Sequence, residues 1–73
     1  MTAWGDLRVA AEAIGVAKVK IEAAATVLER IGLGGERTRA ELLRELAALL
    51  EICREGCERD AIALLRAEGV GQD

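Results

Sequence analysis

One stretch of the chain reads as a break between elements, Gly32-Leu33-Gly34-Gly35, and the apolar residues on both sides of it keep a helical period. Upstream, Leu7, Ile14, Ile21 and Leu28 recur every seven residues, with Ala10, Ala17, Ala24 and Ile31 on the neighbouring line. Downstream, Leu43, Leu50, Cys57 and Leu64 form one line and Leu46, Cys53, Asp60 and Ala67 the next, widened by Leu42, Leu49, Gly56 and Ala63. Apolar residues at heptad spacing put a stripe along one side of a helix. Two such helices joined by one short break bury their stripes by folding back on each other. The fold expected is all-α: a two-helix antiparallel hairpin forming a single domain over residues 1–73.

Local signals suggest the boundaries. Thr38-Arg39-Ala40-Glu41 has the pattern in which Thr and Glu side chains satisfy free amides at a helix start. It predicts a glycine turn over 32–37 and a second helix near 39–68. Thr2 or Asp6 suits the start of the first helix, expected near 3–31. Gly32 suits its left-handed end, and Gly69 followed by Val70 repeats that signal before a frayed tail at 69–73. Each helix is then about 40 Å long at 1.5 Å per residue.

Composition excludes more than it proposes. The 73 residues include no His, Ser, Asn, Pro, Tyr or Phe, and the only aromatic is Trp4. This removes a His general base, a Ser nucleophile, a His-rich metal site and an aromatic platform for nucleic-acid bases. No enzyme and no cofactor are expected. Acidic and basic residues are interspersed around a net charge of −3, without the one-signed block of a nucleic-acid arm or a membrane anchor. The opening residues lack the pattern of a signal peptide. The most apolar segment, 10–28, carries Glu12, Lys18, Lys20 and Glu22, too many charges for a membrane span. A cytoplasmic protein with reduced thiols is the expectation.

Two helices touching along one seam bury little surface, and oligomerisation is the usual remedy in a chain this small. Val9, Val16 and Val19 lie off the first stripe and Ile52 and Ile62 off the second. Scattered surface residues are normal, but this many in one short chain point to a second interface. The expected assembly is a homodimeric four-helix bundle. Its layers of large residues beside alanines resemble the architecture of small plasmid-type two-helix dimers, a resemblance carried by no sequence motif.

Few residues invite a chemical role. Cys53 and Cys57 share a helix face at i, i+4 spacing and, doubled in a dimer, offer four thiolates to a metal. Packing as small core residues is the simpler reading. Gly15 and Gly56 fall at one level of the hairpin if residue numbers across it sum to about 70, which predicts a close approach of the backbones. Asp60 interrupts a core line near the level of Arg8 and is expected at the edge of the seam in water. Trp4 is expected opposite residues 64–66, closing the open end, although an exposed Trp is also a common binding hot spot.

The expected function is a non-enzymatic protein–protein interaction module: a small adaptor, chaperone-like partner or inhibitor. Tiny Ala- and Arg-rich helical proteins of this kind occur in phages, mobile elements and secretion systems. Its partner-binding residues are expected among Trp4, Val9, Val16, Val19, Ile52 and Ile62, with a second copy of the chain as another partner. One alternative is a nucleic-acid-binding dimer that gathers Lys18, Lys20, Arg30, Arg37, Arg39 and Arg44 near the turn, which the acidic balance opposes. The other is metal binding through Cys53 and Cys57.

Overall fold

The computed structural model describes residues 2–68 as two long helices packed antiparallel, α1 (Ala3–Ile31) and α2 (Gly34–Ala67). Helix α1 begins where Thr2, in extended backbone, accepts a hydrogen bond on its hydroxyl from the Gly5 N–H at 3.1 Å. Asp6 in the first turn and Arg30 in the last complement the helix dipole. The helix ends because Gly32 turns left-handed (φ 72°, ψ 11°) and donates its N–H back to the Leu28 carbonyl at 3.3 Å. Only glycine enters that region without a steric penalty.

The turn is tighter than the capping pattern predicts. Leu33 alone is extended (φ −79°, ψ 150°), and α2 starts at Gly34, five residues before the expected start. The Arg37 N–H donates to the Leu33 carbonyl at 3.0 Å, closing the first turn. Thr38 does not cap. Its hydroxyl donates to the Gly34 carbonyl at 3.4 Å, one turn back inside the helix. The physical reason is continuity: with Leu33 extended the chain has already reversed, and glycines are tolerated in a first turn whose amides are free in any case. Glu36 supplies the favourable charge there. At the far end the Glu68 N–H donates to the Leu64 carbonyl at 3.0 Å. The expected cap at Gly69 and Val70 and the tail at 69–73 lie outside the described residues.

The seam uses one predicted line of each helix and replaces the other. Leu7, Ile14, Ile21 and Leu28 of α1 are half-buried, as are Leu43, Leu50, Cys57 and Leu64 of α2. The second line is not Ala10–Ile31 but Trp4, Ala11, Lys18 and Ala25, and in α2 not Leu46–Ala67 but Ala40, Ala47, Arg54 and Ala61. Among the described residues the buried ones are five alanines: Ala11, Ala25, Ala40, Ala47 and Ala61. This registry keeps Asp60 exposed, where its carboxylate avoids the cost of burial. Lys18 and Arg54 lay their aliphatic stems along the seam and carry their charges to its rim. Small side chains on both helices along one line let the helices approach closely. The product is a rod with principal extents of 59 × 16 × 15 Å. No helix among the described residues is long and apolar enough to cross a membrane.

Gly15 sits against the Arg54 side chain, where a Cβ would meet Cδ at 3.5 Å, an ordinary contact. A Cβ on Gly56 would meet nothing within 4 Å. The expected close approach of two facing glycines is therefore absent, although the pairing of Gly15 with Arg54 and of Lys18 with Glu51 keeps the expected level.

Candidate functional site

A groove of about 700 Å³ opens at the end of the rod away from the turn. It exists because the seam there is made of small residues. Ala11 and Ala61, both 3% exposed, form its floor, and Gly15 adds no side chain. Larger apolar residues line the walls: Trp4 and Val9 from α1, Ile62 and Leu65 from α2. Arg8, Glu12, Arg54 and Glu58 give it a polar rim of balanced charge. The Trp4 indole Nε1 is buried and has no hydrogen-bond partner. A buried donor left without an acceptor costs about 1–3 kcal/mol.

The inner edge of the groove is held by an ion network. The Lys18 Nζ donates to the Glu51 Oε1 across the helices at 3.1 Å, and the Arg54 Nε donates to the same oxygen at 3.0 Å. The Arg54 Nη2 bonds the second Glu51 oxygen, and its Nη1 reaches Glu58 at 2.6 Å. These hydrogen bonds, that from Arg54 first and that from Lys18 second, hold the Glu51 carboxyl at about 2 and push the Arg54 guanidinium further above its ordinary range. Arg54 is thus oriented from both sides before anything enters the groove. A second cross-helix clasp lies nearer the turn. The Arg44 Nη2 and Nε donate to the two Glu29 carboxylate oxygens at 2.6 and 2.9 Å, and Nη2 also reaches the Thr26 hydroxyl at 3.3 Å. The Arg44 hydrogen bond lowers the Glu29 carboxyl below its usual value.

Both cross-helix clasps lie on one flank of the seam. On the opposite flank Leu42, Leu46, Leu49, Val27 and Ile31 are each between 42% and 59% exposed.

No family model matches this chain, and no curated protein or solved structure matches it either.

The residues expected to bind a partner divide. Trp4, Val9 and Ile62 converge on the groove, and Trp4 lies across from Leu65 as its expected level requires. Val16, Val19 and Ile52 are exposed outside it and are not brought together with it. Sequence reasoning missed Arg8, Glu12, Arg54, Glu58 and Leu65, whose convergence depends on which second line each helix buries. It also assigned Ile31, Leu42, Leu46 and Leu49 to the buried stripe, whereas they are exposed. Cys57 lies in the seam, but Cys53 is exposed, so the two are not a buried core pair. Among the described residues no group of three or more metal-ligating side chains is assembled. Of the basic residues expected near the turn, Lys18, Arg39 and Arg44 are each within 3.1 Å of a carboxylate.

Proposed function

We propose that this hairpin is a non-enzymatic protein–protein interaction module, an adaptor, chaperone-like partner or inhibitor working in the cytoplasm. Its open-end groove takes an apolar side chain from a segment of another protein. The observation that carries this reading is the convergence of Trp4, Val9 and Ile62 on one groove. Apolar walls with a few placed polar groups are the usual make-up of a recognition pocket. Arg54, fixed by Glu51 and Glu58, supplies a preorganised positive rim, and Glu12 and Glu58 the negative one.

The test is site-specific photocrosslinking in the native host. A photoreactive residue at position 62 is expected to give a discrete adduct with a second protein, and one at the exposed Glu45 is not. Trp4→Ala removes the aromatic wall of the groove and should weaken the adduct-forming complex at least about 10-fold, as loss of a buried aromatic anchor does. Equal adducts from positions 62 and 45, or none from 62, would overturn the reading.

A further inference from the structure

Cys53 has no place in the core. Free cysteine is among the most buried of residue types, yet this one is exposed, while Cys57, one helical turn on, is half-buried at the seam. Both thiols are free. Positions i and i+4 share one side of a helix, with Cβ atoms about 5–6 Å apart. We infer that the pair is a binding site for one soft monovalent cation, Cu(I), held between the Cys53 and Cys57 sulfurs of a single chain.

Span, coordination number and surroundings select that ion. A metal–thiolate bond is about 2.3 Å long, so two of them in line cover about 4.6 Å. Each sulfur swings on its own χ1, so thiols on Cβ atoms about 5–6 Å apart reach that separation with the helix intact. A disulfide needs Cβ atoms about 3.5–4.5 Å apart, so the same spacing keeps the pair from closing on itself. Zinc asks for four ligands, and among the described residues no third ligand joins the pair. Cu(I) prefers soft sulfur and is satisfied by two thiolates in line. Cys53 follows Leu46 on its seven-residue line and so lies on the flank away from the ion clasps and the groove. The register of Lys18 on Glu51 and of Gly15 on Arg54 sets the pair level with the middle of α1. The half-buried α1 residues there on the cysteine side are Ile14 and Ala17, which carry no polar side-chain atoms and supply no further ligand.

Binding is an exchange of protons for metal. Each thiol releases its proton to solvent, two Cu–S bonds form, and the neutral pair becomes a complex with a single negative charge. No electron moves, because copper arrives as Cu(I) from a donor chelate and both sulfurs remain thiolates. Cys53, exposed, meets the incoming ion first, and the half-buried Cys57 completes its coordination on the side away from water. The groove lies on the other flank, so the inference stands apart from the function proposed for that groove.

The test is an anaerobic competition in which the full, reduced chain takes Cu(I) from the coloured chelator bicinchoninate and the loss of colour is read. One Cu(I) per chain is expected. Changing a group that only supports a ligand weakens metal binding 10–100-fold, so Cys53→Ala, which removes a ligand itself, should weaken it at least about 100-fold. Cys53 is exposed, so this variant keeps its helix content, which circular dichroism checks. A Cys57→Ala, Glu55→Cys variant retains two thiols at i, i+2 spacing, where they do not face each other, and should bind as weakly as Cys53→Ala. A parent that leaves the colour unchanged, or binds no tighter than Cys53→Ala, would overturn the site. Equal binding by the Glu55→Cys variant would overturn the role of the helical spacing, and one Cu(I) per two chains would overturn the single-chain site.

Discussion

At the scale of single residues, Glu51 has the largest electrostatic task in the chain, because one carboxylate takes hydrogen bonds from a cation on each helix. Its folded value, about 2, lies below the ordinary carboxylate value of an unfolded chain, near 4.3. The unfolded state therefore binds the proton more tightly, and Glu51 contributes stability that is complete above that ordinary value. The contribution is lost as pH falls from about 4.3 through about 2. Circular dichroism melts should show Glu51→Gln destabilised at neutral pH, with the gap to the parent closing across that window. A gap unchanged at pH 2 would mean that the carboxylate's charge is not what holds the clasp. None of this was legible in the sequence. Nothing in the spacing distinguishes a glutamate that a lysine 33 positions away will meet. The Arg54–Glu58 pair was legible, because both partners sit on one helix at i, i+4 spacing.

At the scale of elements, the seven-residue lines of Leu7 and Leu43 were legible because large apolar residues at that spacing have few alternatives to a shared seam. The choice of second line was not. On each helix two neighbouring lines compete, and an alanine line does not announce itself against one containing leucine. The contest is settled between the helices, by close approach of Ala11, Ala25, Ala40, Ala47 and Ala61 and by the exclusion of Asp60 from the seam. The turn divides in the same way. Gly32 was legible as a left-handed end, while the Thr38 pattern misled because a capping motif works only where the chain is not already helical. The three glycines of the turn therefore differ in their response to alanine. Gly32→Ala forces a side chain into the left-handed region and should cost about 1–2 kcal/mol. Gly34→Ala and Gly35→Ala meet open space in helical backbone and should each stabilise by up to about 1 kcal/mol. Thr2→Ala should cost about 1 kcal/mol and Thr38→Ala less than about 0.5 kcal/mol. Urea titrations at one fixed protein concentration measure all five, and a Thr38→Ala loss equal to that of Thr2→Ala would restore the later helix start.

At the scale of the whole molecule, two helices that touch only each other make a rod, and a rod has no inside. A compact chain of this length has a radius of gyration near 11 Å. This one reaches 16.8 Å. Among the described residues no large side chain is fully buried, and the five buried ones contribute only methyl groups to the core. Each methyl is worth under about 1 kcal/mol on burial, so the half-covered leucines and isoleucines of the seam must supply most of the folding energy. The exposed leucines of the other flank add to that energy only if something covers them, so an association would couple to folding. Ligation by a second copy stabilises by mass action, so unfolding of a coupled dimer depends on concentration where that of a lone hairpin does not. A tenfold rise in protein concentration adds about 1.4 kcal/mol to the dimer, which should raise Tm by roughly 3–6 °C for an assembly of this size. Scanning the reduced chain across two decades of concentration measures the slope directly. A Leu46→Glu variant should lose both the slope and most of the stability, whereas Val16→Glu, on the side of α1 away from the flank, should keep both. A Tm independent of concentration in the parent would mean that the alanine seam and its two ion clasps suffice to hold the hairpin alone.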